Sequence, residues 1–233
     1  MIKKLLFSEM GKSDLGWLQA TFHFSFAEYY NPDNMNFGPL RVLNDDNIQP
    51  HGGFGTHPHK NMEIVTYVIS GTLGHKDNMG NEETVTRGQV QYLSAGTGIT
   101  HSEFNQGDEP IRLLQTWIVP NKQGHTPSYG DYKFPWDDRL GKWLHMVSNK
   151  QGSAPVKINQ DVNYYVSFLR KDEESSFEIS KKRQAYLVQI EGSSRINNLT
   201  LNQGDGLQSI ATDLNINPKT DSHILVIEMK GKE

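Results

Sequence analysis

Short segments of alternating apolar and polar residues, rich in β-branched and aromatic side chains, dominate the chain. Alternation with a period of two is typical of β-strands that bury one face, and clusters of Gly, Asn and Asp between the segments indicate turns. No long segment has the period of an amphipathic helix. The pattern predicts an all-β sandwich or barrel with strands in five segments: Glu63–Ser70, Ile111–Val119, Tyr164–Leu169, Ala185–Ile190 and His223–Glu228.

The chain reads as two related β units joined by a connector. Residues 121–152 carry prolines, glycines and mixed charge with little alternation, so we interpret this stretch as a linking region. On either side, a strand ending at Gly71 or at Gly192 is followed by a polar turn, a short strand, a glycine turn and another strand. This similarity indicates a duplicated barrel. We predict a first domain, a connector and a second domain over residues 1–130, 131–152 and 153–233.

Composition excludes several classes of function. The 233 residues carry 23 Lys and Arg against 27 Asp and Glu, a net charge of −4, so nothing favours nucleic acid through bulk charge. No apolar run approaches the roughly 20 residues of a membrane span, and the apolar start is broken at Ser8, too early for a signal peptide. We therefore expect a cytoplasmic protein that binds neither nucleic acid nor a membrane. With no cysteine, a metal site must use His, carboxylate or carbonyl ligands.

Two pairs of metal-capable side chains stand out: His57 with His59, and His101 with Glu103. Each pair has i, i+2 spacing, which places both side chains on the same face of a β-strand. If both segments are strands of one barrel, the four groups converge on one point. Three neutral imidazoles and one carboxylate form a nitrogen and oxygen donor set that suits a first-row divalent metal.

The residues around these pairs resemble the cupin pattern. Its two motifs are represented by Gly52, His57, His59, Glu63 and Gly71, and by Gly88, Gly98, His101 and Asn105. The Pro-x-Gly that is usual in the second motif is replaced by Ser94-Ala-Gly-Thr-Gly98, which points to a subfamily. The chain resembles the pirin family, and within it the bacterial pirin-like quercetin 2,3-dioxygenases. The segments that carry this likeness are Asn44–Asp46, Phe54–Glu63, Asp77–Gly80 and Ser94–Glu103.

The resemblance implies two cupin barrels of the double-stranded β-helix (jelly-roll) type, packed face to face, the second without a metal. It implies metal ligands at His57, His59, His101 and Glu103, in agreement with the spacing argument. Glu63 is the ligand position in many other cupins, and here we expect it to orient a ligand imidazole instead. The expected ion is Fe²⁺, with nickel, manganese, copper, cobalt and zinc as alternatives, because the donor set does not select among them.

The resemblance also implies an activity: oxidative ring opening of a flavonol with O₂ and release of carbon monoxide. Glu103, if it loosens from the metal, is then the general base that accepts the substrate proton. One alternative is a metal-dependent regulatory binding protein that acts through a protein partner. A cupin isomerase or sugar epimerase is a weaker alternative. We expect a monomer, since two fused cupin halves can cover each other's faces.

The remaining histidines and aromatic residues have simpler interpretations. A lone histidine is usually exposed or hydrogen-bonded, and we read six histidines in that way: His23, His51, His75, His125, His145 and His223. Phe54, Tyr67 and Trp117 are expected to belong to the core rather than to a substrate platform, with a place in the lining of the barrel lumen as the alternative for each. Pro58, which has no N–H to donate, is expected at a sheet edge.

Overall fold

The computed structural model describes residues 1–231, and β-strands form nearly all of its regular structure. Helix among these residues is confined to the 3₁₀ turns Phe7–Glu9 and Trp136–Arg139, and neither has the length of a membrane span. The first twelve strands are β1 (Ile2–Leu5), β2 (Gly11–Asp14), β3 (Leu18–Phe22), β4 (Leu40–Ile48), β5 (Gly53–His59), β6 (Glu63–Ser70), β7 (Thr72–Asp77), β8 (Glu82–Thr86), β9 (Val90–Ser94), β10 (Ile99–Asn105), β11 (Ile111–Ile118) and β12 (Ser128–Tyr132). The other ten are β13 (Leu144–Asn149), β14 (Val156–Ile158), β15 (Val162–Leu169), β16 (Ser175–Phe177), β17 (Arg183–Glu191), β18 (Ser193–Ile196), β19 (Leu199–Asn202), β20 (Gly206–Ile210), β21 (Leu214–Pro218) and β22 (Ser222–Lys230).

The five strands predicted from alternation all form, as β6, β11, β15, β17 and β22. The β6 strand has the predicted bounds, and the others differ only at their ends. These five strands are central in their sheets and are buried along most of their length. Burial on both faces explains their dense β-branched and aromatic composition.

The N-terminal unit comprises Gly11–Pro135 together with Ile158–Gln160. It contains a seven-stranded antiparallel sheet in the order β12-β9-β6-β11-β4-β3-β2 and a four-stranded sheet in the order β5-β10-β7-β8. An apolar cluster that includes Leu18, Val68 and Leu113 fills one part of this barrel. Partly buried aromatic side chains, among them Phe26 and Phe54, pack against this cluster.

The C-terminal unit comprises Met1–Met10, Trp136–Lys157 and Asp161–Glu233, of which residues up to 231 are described. Its sheets have the orders β1-β20-β17-β22-β15-β13-β14 and β16-β21-β18-β19. The strand order β9-β6-β11-β4 in the N-terminal unit therefore corresponds to β20-β17-β22-β15 in the C-terminal unit. In the smaller sheets, β5-β10-β7-β8 corresponds to β16-β21-β18-β19. The internal repeat that the sequence indicates is thus a repeat of topology.

The two units differ in what fills the corresponding strands. In the N-terminal unit, β5 and β10 carry the His57–His59 and His101–Glu103 pairs. In the C-terminal unit, the corresponding β16 and β21 contribute Phe177, Leu214 and Ile216 to a closed apolar cluster. The strands β16 and β21 contain no histidine, so the counterparts of β5 and β10 offer no imidazole ligand.

The boundaries of the units differ from the predicted domains at three places, one of which is the segment Ile158–Gln160, which belongs to the N-terminal unit. The first ten residues belong to the C-terminal unit, because β1 pairs with β20 along Ile2–Leu5. The predicted connector over 131–152 contains the end of β12 and the whole of β13, which pairs with β15. Pairing between segments so far apart in sequence leaves no local signal, and short strands within a proline- and glycine-rich stretch have little alternation.

The turn that replaces the usual Pro-x-Gly requires glycine at position 96. Gly96 has a φ of +46°, and a Cβ built on it would lie 2.0 Å from the carbonyl oxygen of His125. We expect Gly96→Ala to lower the free energy of unfolding by at least about 1 kcal/mol, measured by urea denaturation. Gly55→Ala is the matched control, because a Cβ there meets nothing within 4 Å. Equal stability of the two variants would contradict this account of the turn.

Candidate metal centre

The two predicted pairs lie on neighbouring antiparallel strands of the four-stranded sheet. His57 and His59 are on β5, and His101 on β10 is directly opposite His57 in the register. Side chains on β10 alternate in burial, so His101 and Glu103 share the buried face. Pro58 is exposed on β5, which is an edge strand, and its missing N–H costs no ladder bond there.

The three predicted imidazoles come together. Ring centroids are 4.5 Å apart for His57 and His101, 4.8 Å for His57 and His59, and 5.0 Å for His59 and His101. One ring nitrogen of each lies within 4.8 Å of the other two, close enough to share an ion. A second cluster of the same tightness contains His101, Glu103 and His75. The predicted four residues thus span both clusters, with His101 common to them.

The electrostatics of the cluster fit a metal site. Burial is the main reason that the pKa of His59 falls to about 4 and that of His101 to about 3, with neighbouring imidazoles adding to the shift. Both rings are therefore neutral at neutral pH, the form that binds a metal. His101 Nε2 is buried and has no hydrogen-bond partner within residues 1–231. An unpaired buried nitrogen beside two further imidazoles fits a bound cation.

A cavity of about 270 Å³ opens onto this cluster. Its walls are mainly apolar and aromatic, and its polar lining includes His57, His59 and Glu103. Trp117 meets His59 edge to face at 4.9 Å between ring centroids and meets Phe26 in the same way at 5.4 Å. Phe54 and Trp117 pack against apolar core clusters, as expected, and both also line the cavity, which was the alternative for them. Tyr67 is buried as expected.

Comparison with known proteins identifies the family. A family model described as Pirin matches residues 6–118, and one described as Quercetinase C-terminal cupin domain matches residues 145–229. The chain is 44% identical over 207 residues to a protein named Pirin-like protein from Caulobacter vibrioides, covering 88% of this chain and 89% of the relative. The chain belongs to the pirin family. Its fold is accordingly a pair of cupin barrels.

Other relatives in the pirin family have names that refer to a metal or an activity. A protein from Escherichia coli K12 named quercetin 2,3-dioxygenase is 42% identical over 224 residues, covering 95% of this chain and 96% of that protein. A crystal structure of a bacterial pirin from Escherichia coli in complex with nickel(II) superposes with a TM-score of 0.92 at 39% identity, covering both chains completely. These likenesses imply a metal and a dioxygenase-like oxidoreductase without fixing the ion.

Two glutamines hold Glu103 in this pirin. Gln91 Nε2 donates to Glu103 Oε1 at 2.6 Å, and Gln115 Nε2 donates to Oε2 at 2.9 Å. Trp117 Nε1 donates to Gln115 Oε1 at 3.2 Å, and because an indole N–H can only donate, Gln115 must turn its NH₂ group towards Glu103. Both carboxylate oxygens are thus fixed while each retains a second acceptor position. Sequence reasoning missed both glutamines, since they come from β9 and β11 and meet Glu103 only across the barrel.

His75 is a third residue that sequence reasoning missed. It lies on β7 directly opposite Glu103, is buried, and stacks on Tyr129 with ring centroids 4.1 Å apart. His75 Nδ1 is 3.5 Å from His101 Nδ1, and its Nε2 is 3.4 Å from Asp77 Oδ2. A signal was present, because His75 and Asp77 have the same i, i+2 spacing as the two predicted pairs.

Glu63 lies outside both clusters. Its Oε1 accepts a hydrogen bond from Ser94 Oγ at 2.7 Å, and its Oε2 accepts one from the backbone N–H of Asn159 at 3.0 Å. These contacts differ from the expectation that Glu63 orients a ligand imidazole. Glu63 instead joins residues 158–160 to β6 and β9 within the N-terminal unit.

The variant Gln115→Leu tests whether the hydrogen bond from Gln115 to Glu103 contributes to turnover. The change removes the donor to Oε2 and leaves Trp117 Nε1 without its acceptor, so we expect the catalytic rate constant to fall by about 10- to 100-fold while the metal is retained. Steady-state turnover with metal analysis on the same sample measures both. Gln19→Ala is the control, since Gln19 is exposed and its side chain bonds only Asp14 among the contacts described. A Gln115→Leu variant as fast as the wild type would show that this hydrogen bond does not support turnover.

Proposed function

We propose that this protein is a metal-dependent dioxygenase that opens the ring of a flavonol such as quercetin with O₂ and releases carbon monoxide. The observation that carries the proposal is the aromatic cavity that ends on the imidazole cluster and Glu103. A flavonol is a flat aromatic molecule with a hydroxyl group beside a carbonyl, so its rings suit the apolar walls and its two oxygens suit the polar end.

His57, His59, His101 and Glu103 would hold the ion, with Fe²⁺ as the expected metal and nickel, manganese, copper, cobalt and zinc as alternatives for the same donors. When bound, the ion supplies Lewis acidity that lowers the pKa of a coordinated hydroxyl group. Each of the four residues also has contacts that fix it in place. His57 Nδ1, for example, is 2.8 Å from the carbonyl oxygen of Gly55.

The chain's own residues would handle the substrate and its proton. Glu103 lies at the polar end of the cavity and has an acceptor position left on each oxygen, so it can take the hydroxyl proton as general base. Phe26, Phe54 and Trp117 would hold the flat rings and exclude water from the reacting carbons. Holding both reactants at one place is the main contribution of such a site to rate.

Aerobic incubation of the metal-loaded protein with quercetin tests the proposal. We expect loss of the flavonol absorbance with release of one carbon monoxide for each flavonol consumed. Elemental analysis of the freshly purified protein identifies the ion that is carried naturally. Failure of every one of the six candidate metals to support turnover would overturn the enzymatic proposal and favour a metal-dependent binding protein with a regulatory partner.

A further inference from the structure

The Asn44-Asp45-Asp46 segment lies in the middle of β4 and points its acidic groups in opposite directions. Asp45 forms a two-pronged ion pair with Arg112, with Nε to Oδ1 at 2.9 Å and Nη2 to Oδ2 at 2.7 Å. Asn44 and Asp46, one position to either side, face the cavity and form part of its wall. Alternation along the strand therefore gives the two aspartates separate environments.

Asp46 is a polar group in an apolar part of the wall. It is opposite Leu113 on β11 and Ala20 on β3, and only 2% of its surface is exposed. Its Oδ1 has no hydrogen-bond partner anywhere in the described chain, and the same holds for Asn44 Oδ1. Burial of an unpaired acceptor is unfavourable, and such groups are few in folded proteins. Two of them side by side on a cavity wall indicate that a ligand supplies the missing donor.

Asp46 does not belong to the candidate metal centre. It is in neither of the two clusters of possible ligands, whereas Glu103, which also lines the cavity, is. The acceptors on β4 therefore form a second polar point in the cavity, on a different strand from Glu103 and outside both clusters of possible ligands. A ligand that uses both must carry a polar group at each of two places on an otherwise apolar body.

We propose that Asp46 and Asn44 form a hydrogen-bonding subsite for a phenolic hydroxyl group and determine which flavonols the cavity accepts. This inference rests on the proposed function, because it takes the occupant to be a flavonol. The phenolic O–H donates to Asp46 Oδ1, which can accept whether or not the side chain is ionised. The hydroxyl group concerned is a further one, separate from the hydroxyl–carbonyl pair that meets the imidazole cluster.

Anaerobic binding of two flavonols to the metal-loaded protein tests the subsite without turnover. Quercetin carries additional hydroxyl groups, whereas 3-hydroxyflavone retains only the hydroxyl–carbonyl pair. We expect the wild type to bind quercetin at least about tenfold more tightly than 3-hydroxyflavone. Asp46→Leu, which has nearly the same shape without an acceptor, should bind the two equally, and Asp46→Asn should restore most of the preference through its carbonyl oxygen.

Thermal unfolding of the ligand-free protein supplies a readout that a structural role would not give. Asp46→Leu removes an unpaired buried acceptor, so we expect a higher melting temperature together with the lost preference. Asp45→Asn is the matched control: it weakens the contact with Arg112 and lowers the melting temperature, but it leaves the preference for quercetin unchanged. Should Asp46→Leu not fold, Asp46→Ala allows the same comparison of ligands.

The outcomes separate the subsite from the proposed function. If the wild type prefers quercetin and Asp46→Leu or Asp46→Ala prefers it to the same degree, the subsite is wrong while the dioxygenase proposal stands. A wild type without any preference for quercetin would overturn the subsite in the same way. If neither flavonol binds to the wild type, both proposals fail together.

Discussion

Replacing His101 with alanine is expected to abolish metal retention and flavonol turnover together. His101 is the one residue common to both clusters of possible ligands, and its Nε2 is a buried nitrogen without a hydrogen-bond partner in the described chain. Loss of an imidazole ligand should weaken metal binding by at least about 100-fold, the upper end of the effect of residues that merely support a ligand. Competition with a chelator, followed by elemental analysis, measures the change.

His125→Ala is the control for His101→Ala. His125 is in the same unit and its ring contacts Asn121, at 2.9 Å, outside both clusters. We expect this variant to retain the wild-type metal content and rate. If His101→Ala kept its metal with unchanged affinity, the cluster would not be the metal centre, and the proposed function would lose its chemical basis.

Glu103→Gln is expected to lower the catalytic rate constant by about 100-fold or more, since an amide cannot accept the substrate proton. Three imidazoles remain, so a measurable part of the metal content should be retained and turnover can be expressed per bound ion. The change also places an NH₂ group against the NH₂ group of Gln91 or Gln115, both of which now donate to Glu103. The melting temperature should therefore fall as well.

Glu63→Gln separates the role of Glu103 from the general effect of losing a buried carboxylate. Glu63 is equally buried in the same barrel but bonds Ser94 and Asn159 instead of the cluster. We expect Glu63→Gln to lower stability and leave the rate per bound ion unchanged. A Glu103→Gln protein that holds its metal and turns over at the wild-type rate would show that Glu103 is not the base.

The sequence was enough to predict the fold class and the position of the strongest candidate site. Alternation of apolar and polar residues predicted the central strands because those strands are buried. The i, i+2 spacing predicted the cluster of three histidines because β5 and β10 are neighbours in the sheet. The likeness to pirins also rests on local motifs, two of which, Phe54–Glu63 and Ser94–Glu103, overlap β5 and β10. The alternation along single strands and the spacing of the histidines are both local features, so they can be read from the sequence.

What sequence reasoning missed depends on pairing between distant strands. β1 joins the C-terminal unit through β20, and Gln91, Gln115 and His75 reach Glu103 only through the register of their sheets. Asp46 was part of a motif, but its unpaired acceptor becomes visible only when β4 forms one wall of a cavity. None of these contacts leaves a periodic signal along the chain.

The metal centre is tested most directly by a crystal structure of the metal-loaded protein, with anomalous scattering recorded at the absorption edge of the bound ion. The account predicts one peak, within about 2.0–2.2 Å of a nitrogen of His57, His59 and His101 and of an oxygen of Glu103. A peak held by His75, His101 and Glu103 without His57 and His59, or one at Glu63, would contradict it.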